Sequence, residues 1–332
     1  MRIALAGLGN VGATTLRILR ANADDIKKHG QEITVVAVSA RTKNKQRDCD
    51  LSGIEWVDDP RHLVVRRDID VVVETIGGAD GMALELAEAA LAHDKHLVTA
   101  NKALIAKHGV VLAQKAEKAG LQLSFEASVC GGLPVLKMLR EGLVANRISS
   151  LRGILNGTCN YILTRMQEDA VDFATALAEA QDNGYAESDP SDDIDGHDTA
   201  NKLAILSALA FGVVPDIASI FVEGIRHLTL HDLRDATAKG GRIKLLGIAT
   251  RTESGIVQRV QPIFVPFGEN LAQTNGGANA VEIVGDFVGD VFLQGQGAGG
   301  LATSSSVIAD LVDIARGHRS FAFGMAAGDL AE

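Results

Sequence analysis

Aromatic residues are scarce in this chain of 332 residues: Phe, Trp and Tyr together make up 4%. That argues against nucleic-acid binding on stacked aromatic platforms. Prolines number only 6, so the chain has no proline-rich linker. Positive charge is not in excess either, since 32 Lys and Arg face 42 Asp and Glu, a net charge of −10. An acidic chain repels phosphate backbones, so any phosphate site must be local. No apolar run reaches the roughly 18 residues of a membrane span. The N-terminal MRIALAGLGN lacks the small-residue cleavage pattern of a signal peptide. The 3 cysteines, Cys49, Cys130 and Cys159, lie far apart with no CxxC pair. The expectation is a cytoplasmic protein with free thiols and neither a nucleic-acid nor a membrane partner. What is abundant is glycine, at 35 residues, among 46% apolar and 22% charged residues. That balance is near the globular average and disfavours disorder or a coiled coil. The length gives room for two domains.

The first 130 residues alternate strand and helix. Arg2–Ala6 is a short apolar run that meets Gly7-Leu8-Gly9-Asn10-Val11-Gly12, and a helical stretch follows to about Ala21. Ile33–Val38 and Asp70–Thr75 read as strands buried on both faces. Helices are expected over Gly81–His93 and Ala103–Ala119, with strands at Leu97–Thr99 and Leu121–Phe125. Such alternation gives a parallel sheet with right-handed crossovers. After Gly131-Gly132 the pattern changes. A helix over Pro134–Leu143 is followed by a strand, Ile148–Leu155, that ends in Asn156-Gly157. Thr158 stands where an N-cap would start a helix over Asn160–Gln167. Helices Asp172–Gln181 and Asp198–Phe211 flank an acidic loop, Tyr185–Gly196. Strands are expected at Ile243–Thr250, Ile256–Val265, Val281–Val284 and Val291–Leu293, and a last helix over Thr303–Ala315. The domains expected are 1–130 for dinucleotide binding and 131–300 for substrate and dimerisation, with 301–332 returning to the first.

Gly7, Gly9 and Gly12 form GxGxxG between the first strand and a helix. The first allows the tight turn, the second lets the backbone approach a pyrophosphate, and the third lets helix and strand pack closely. The helix N-terminus supplies free N–H groups and a positive dipole end. The context, strand before and helix after, favours a dinucleotide site over a ligand-free glycine turn. An NAD site would put an acid at the end of the second strand. Glu32 precedes that strand instead, and the end reads Ser39-Ala40-Arg41, with Lys43, Lys45 and Arg47 beyond. A serine and an arginine suit a 2′-phosphate, so NADP is favoured and NAD remains open. A solvated basic loop is the alternative.

Thr99-Ala100-Asn101-Lys102 follows a strand at the edge of the sheet where open α/β folds bind ligands. Glu187, Asp189, Asp192, Asp193, Asp195 and Asp198 crowd into one stretch. It reads as a solvated loop, as a divalent metal site of hard oxygen ligands, or as a pocket for a cationic group. The stretch lacks the EF-hand spacing and any histidine pair. Asp198 and Lys202 are one helical turn apart on the same face. A carboxylate there can orient an ammonium that donates a proton to a forming alkoxide.

The runs GILNGTCNY (Gly153–Tyr161) and GYAESDPSDDIDGHDTANK (Gly184–Lys202), the TANK of Thr99–Lys102, and GQGAGGLAT (Gly295–Thr303) resemble homoserine dehydrogenase, in the family's order. The resemblance covers essentially the whole chain. It implies an α/β fold, an N-terminal Rossmann dinucleotide-binding domain joined to a second α+β substrate and dimerisation domain. It implies an NAD(P)-dependent oxidoreductase acting on a CH–OH group. The reaction would be reversible reduction of L-aspartate 4-semialdehyde to L-homoserine, in the threonine and methionine branch of biosynthesis. By resemblance, Lys202 is the proton donor and Lys102 a second essential lysine. Glu187 takes the substrate ammonium, and Asp193, Asp198, Gly157 and Thr158 complete the substrate set. The cofactor set is Gly7, Gly9, Asn10, Val11, Gly12, Arg41, Thr75, Lys102 and Gly297. Glu126, with the carbonyls of Val129, Gly131 and Leu133, matches a family segment that binds a monovalent cation such as Na⁺. Backbone oxygens suit a hard cation. A Gly-rich domain crossover is the plainer account of that segment.

The resemblance also implies a homodimer, built through the strand-rich segment 243–293. Cys130 stands where a smaller residue is expected, and Ser304-Ser305-Ser306 replaces the more usual run. Many members carry a C-terminal regulatory domain. The few residues after Gly300 lead to the expectation of a short form without allosteric inhibition by threonine. The rivals are an aldehyde-oxidising enzyme with Cys130 as nucleophile, a related NADP reductase of another small carbonyl compound, and a non-enzymatic nucleotide sensor.

Overall fold

The computed structural model describes residues 1–332. In chain order, β1 (Arg2–Ala6), α1 (Asn10–Ala21), α2 (Ala23–Lys28), β2 (Thr34–Ser39), β3 (Glu55–Trp56), α3 (Arg61–Val64) and β4 (Val71–Glu74) come first. Next are α4 (Met82–Ala92), β5 (His96–Thr99), α5 (Lys102–Ala119), β6 (Leu123–Ser124) and α6 (Val135–Lys137). Then follow β7 (Ile148–Ile154), α7 (Gly157–Glu168), α8 (Phe173–Asp182), α9 (Ser191–Ile194), α10 (His197–Phe211), β8 (Phe221–Val222) and α11 (Leu230–Ala238). Last are β9 (Gly241–Thr252), β10 (Gly255–Pro266), α12 (Asn270–Gln273), β11 (Ala278–Gly285), β12 (Gly289–Gln296) and α13 (Gly300–Ala315).

The chain forms two compact units. One holds Met1–Lys137, Gly212–Pro215 and Gly299–Glu332, and the other Met138–Phe211 and Asp216–Ala298. The first contains a parallel sheet of order β3-β2-β1-β4-β5-β6. Its central strands are apolar runs because helices cover both faces, leaving no solvent side for alternation. Ile3, Leu5, Val71 and Val73 are fully buried beside Leu16 of α1 and Leu311 of α13. Burying a side chain of that size stabilises by about 1.5–3 kcal/mol. The strand order reverses between β1 and β4, and the crevice at such a reversal is where open α/β sheets take ligands.

The second unit has a sheet of order β12-β11-β7-β9-β10-β8, antiparallel except for the short β8 beside β10. Helices α7, α10, α11 and α12 pack against it. Three local expectations change. The helix α7 starts at Gly157, earlier than Asn160, and its N-cap is Asn156, whose side chain accepts from Cys159 N, so Thr158 lies inside the first turn. The helix expected over Pro134–Leu143 shrinks to α6 and continues as a π-helical turn, Met138–Gly142, closed by Leu143 N donating to Met138 O at 2.8 Å. The acidic loop is interrupted by α9, with its N-terminus at Ser191. No helix is long and apolar enough to cross a membrane.

Candidate active site

In the first unit a cavity of about 550 Å³ opens beside the glycine turn, lined among others by Gly7, Gly9, Ser39, Arg41 and Thr75. Gly7 has φ +102°, and a Cβ there would lie 2.5 Å from the Thr75 carbonyl oxygen. A Cβ on Gly12 would lie 2.0 Å from the Gly7 carbonyl oxygen. Both positions therefore require glycine, because any side chain would push the turn open. Thr75 Oγ1 donates to the Gly7 carbonyl at 3.0 Å and holds the turn against β4. Asn10 and Val11 open α1, so their backbone N–H groups belong to its unsatisfied first turn. The basic loop divides its labour. Arg47 donates to the carbonyls of Leu8 at 3.3 Å, Lys43 at 3.2 Å and Lys45 at 2.8 Å, which ties the loop to the glycine turn. Arg41 and Lys45 line the cavity. The one carboxylate lining it, that of Asp58, accepts from Trp56 Nε1 at 2.8 Å.

A buried carboxylate that sequence reading passed over organises the next edge of this sheet. Glu74 is fully buried at the end of β4. Its Oε1 accepts from the backbone N–H groups of Ile76 at 2.7 Å and Gly77 at 3.1 Å, and its Oε2 from Thr99 Oγ1 at 2.5 Å. Thr99 Oγ1 in turn accepts from Asn101 N at 3.0 Å. Asn101 caps α5 through Leu104 N at 3.1 Å and donates to the Gly78 carbonyl at 2.6 Å. The network fixes the strand end and the helix start between which Lys102 stands, half-buried. Only the run VVVET betrays it in the sequence, one acid closing an apolar strand.

The segment read as a cation site lies in the same unit. Glu126 is 2% exposed, and its two oxygens accept from Leu136 N at 3.0 Å and Lys137 N at 2.8 Å. The Gly131 carbonyl accepts from Ser306 Oγ at 2.6 Å. Val129 and Leu133 are buried beside them. A carboxylate and backbone carbonyls are hard oxygen donors, so the donor chemistry of this segment fits a hard monovalent cation.

In the second unit the acidic residues separate by their contacts. Asp193 and Asp198 converge on one amide: Asn156 Nδ2 donates to Asp193 Oδ1 at 2.7 Å and to Asp198 Oδ2 at 2.8 Å. Lys202 Nζ donates to the same Asp198 oxygen at 2.7 Å and to the Leu155 carbonyl at 2.8 Å. The two side chains of this pair are 12% and 5% exposed, so water screens it weakly. Asp198 sits in the first turn of α10, where the helix dipole favours a carboxylate. Burial, with the Asp198 charge next, pushes the Asp193 carboxyl up from its usual range, against the Asn156 hydrogen bond and Lys202. The remaining acids lie apart. Asp195 pairs with Arg226, Asp189 accepts from Ser191 N at 3.2 Å, and Glu187 and Asp192 are exposed. No cluster of His, Cys, Asp or Glu has the makings of a metal site. Thr158 Oγ1 donates to the Tyr185 carbonyl at 2.7 Å, and a Cβ on Gly157 would lie 2.6 Å from the Gly277 carbonyl oxygen. Gly297 follows β12, where a Cβ would lie 1.9 Å from Asn279 Cγ. Asn156 was legible only as a turn residue, although it is the hub of the cluster.

A family model described as homoserine dehydrogenase matches residues 134–312, and one described as the homoserine dehydrogenase NAD binding domain matches residues 7–126. This chain belongs to the homoserine dehydrogenase family. The homoserine dehydrogenase of Neisseria gonorrhoeae is 46% identical over 95% of this chain and 72% of its own length. That of Pseudomonas aeruginosa is 46% identical over 96% of this chain and 73% of its own. A crystal structure of a homoserine dehydrogenase from Thiobacillus denitrificans superposes with a TM-score of 0.94 at 44% identity, over 100% of this chain and 78% of that one.

Family membership assigns NAD(P)-linked oxidoreductase chemistry on a CH–OH group, between L-aspartate 4-semialdehyde and L-homoserine, with a nicotinamide nucleotide as cofactor. It removes the thioester rival, and the thiols agree. Cys130 is fully buried, and burial pushes the Cys159 thiol well above its usual value, so neither is an exposed thiolate.

Proposed function

We propose that Lys202 is the group that moves the proton at the reacting oxygen of the amino-acid substrate, and that NADP is the preferred cofactor. The observation that carries the proton role is the seat of Lys202 Nζ between Asp198 Oδ2 and the Leu155 carbonyl. Those two acceptors use two of the three ammonium N–H bonds, and the third is left by valence for an alkoxide. Bound nicotinamide supplies the hydride. As the aldehyde oxygen gains charge, the Lys202 N–H bond breaks toward it, and the resulting amine takes a proton back from solvent. In the oxidising direction Lys202 starts as the amine and receives the hydroxyl proton. Asp198 holds the lysine in register through the 2.7 Å hydrogen bond to its Nζ. Glu187 is exposed and supplies the negative charge for the substrate ammonium. Asp193, Gly157 and Thr158 shape the rest of that subsite. Lys102 is a second essential lysine, set by its helix cap.

The cofactor residues are Gly7, Gly9, Asn10, Val11, Gly12, Arg41, Thr75, Lys102 and Gly297. Arg41 beside Ser39 supports NADP, because Asp58 is engaged with Trp56 and no other carboxylate lines the cavity. Glu126, Val129, Gly131 and Leu133 would hold a monovalent cation such as Na⁺, supplying order to the loop before α6. A melting temperature that rises with NaCl but not with choline chloride would support this, and equal response to both salts would reject it. The working form is a homodimer through the second sheet, whose β10 exposes Val257 and Phe264. Sedimentation at micromolar concentration tests it. Three free thiols suit the reducing cytoplasm. The deciding experiment for the function is NADP-linked oxidation of L-homoserine against a panel of other hydroxy compounds. A better substrate in the panel would overturn the reading.

A further inference from the structure

The buried polar groups that this chemistry leaves unused gather in the second unit around Lys244. Its side chain is 1% exposed in β9, among the largest fully buried side chains of the chain. An ammonium there has lost its hydration and needs a partner for each N–H. Its three partners are all neutral: Asn160 Oδ1 at 2.9 Å, the Thr274 carbonyl at 2.6 Å and Asn275 Oδ1 at 3.1 Å. Burial pushes Lys244 down to about 7, helped by the charge of Arg242 and opposed by that of Glu168. Arg242 and Glu168 pair with each other at 3.1 Å. An apolar side chain would fill such a core at lower cost, so the lysine is explained by what it ties together.

It ties β9 and α7 to the segment that leads into β11. Asn160 of α7 also donates to the carbonyls of Thr274 at 3.1 Å and Ala278 at 3.2 Å. That segment meets the substrate subsite at three points. The Gly277 carbonyl closes on Gly157. A Cβ on Gly277 would lie 2.5 Å from the Tyr185 ring, and the Tyr185 carbonyl accepts from Thr158 Oγ1. Asn279 Nδ2 donates at 3.0 Å to the Leu155 carbonyl, the same oxygen that seats Lys202. Asn279 is itself 1% exposed, and a side chain on Gly297 would evict it.

We propose that Lys244 is a positioning residue for the amino-acid substrate: its buried ammonium fixes residues 274–279, and through them the start of α7 and the carbonyl that seats Lys202. This rests on Gly157, Thr158 and Lys202 being substrate groups.

The test compares Lys244→Met, Asn275→Ala and Lys202→Ala in the full chain, by homoserine KM, NADP KM and kcat. Lys244→Met is expected to raise the homoserine KM about tenfold, as loss of one charge-assisted hydrogen bond would, and to leave the NADP KM within about twofold. Asn275 is half-buried, and Asn275→Ala removes one acceptor while leaving the lysine. It should raise the homoserine KM in the same direction by a smaller factor. A homoserine KM unchanged in both variants overturns the proposal, whatever kcat does. So does an equal rise for homoserine and NADP, which would mark general loosening. If Lys244→Met fails to fold, the Asn275→Ala values decide by the same criteria. Lys202→Ala separates the two claims: turnover retained there means the site reading has failed, and turnover lost there with unchanged KM elsewhere means only the Lys244 proposal has failed.

Discussion

Replacing Lys202 by methionine keeps the stem and removes the charge, and two separate losses should follow. The first is chemical. A positioned general acid contributes roughly 10²–10⁴-fold, so kcat should fall by that factor while NADP binding is nearly intact. The second is structural. Asp198 is 5% exposed and would lose the ammonium at 2.7 Å, keeping the Asn156 amide. Breaking a buried pair from one side costs about 3–5 kcal/mol, so the urea midpoint should drop clearly. The double variant Lys202→Met with Asp198→Asn removes both charges together. Replacing a buried pair by uncharged groups is often close to neutral, so stability should return to within about 1 kcal/mol of wild type. Turnover should not return. Lys202→Arg should also fail, because a guanidinium does not give up its proton at neutral pH. The measurements are urea unfolding and initial rates of NADP-linked homoserine oxidation. A single variant that keeps more than about half of the turnover would refute the proton role. A double variant that recovers both stability and rate would show that the lysine merely neutralises Asp198.

Glu187→Gln should raise the homoserine KM more than the NADP KM, since a neutral amide bonds an ammonium about half as strongly as a carboxylate does; equal values for enzyme and variant would reject that role. Arg41→Asp should shift the ratio of kcat/KM values from NADP toward NAD, and an unchanged ratio would make Arg41 a solvated residue. Asp193→Asn should raise the melting temperature at neutral pH while weakening homoserine binding. Its carboxyl is held above the usual range in the folded state, so the folded chain binds that proton more tightly than the unfolded chain. The penalty is absent below the ordinary carboxylate pKa and grows as pH rises through the raised one. The stability gain should therefore vanish in acid. A gain that persisted unchanged at acid pH would mean the effect is packing.

The parallel sheet was legible because its signals are local. Apolar β-branched runs such as those of β2 and β4 admit one environment, and a glycine turn between strand and helix marks the ligand edge. The elements that went unread are those with little local signal. The strands β3 and β8 span two residues each, and α11 is short and rich in polar residues. At the start of α7, Asn156 and Thr158 are both good capping types, and sequence alone favoured the wrong one. Only the observed bond from Cys159 N to Asn156 Oδ1 separates them.

The same contrast runs through the site. Asp198 and Lys202 were legible as a pair because one turn of helix brings them together whatever the rest of the chain does. The amide that joins Asp198 to Asp193 comes from Asn156, 42 and 37 positions away, which no spacing rule reaches. Glu74 and Lys244 show the sharper form of the problem. Each stands among apolar strand residues, where a charged residue reads as a strand end or a solvent-facing position. Both are almost wholly buried, so their partners had to be built around them by chain folding from elsewhere. Glu74 is met by the turn after its own strand and by Thr99 of the next. Lys244 is met by α7 and the segment before β11. A buried charge survives only if every polar contact is supplied, so each position constrains several distant segments at once. Those two residues consequently hold the backbone beside Lys102 and beside Gly157, though neither belongs to a motif that names a reaction.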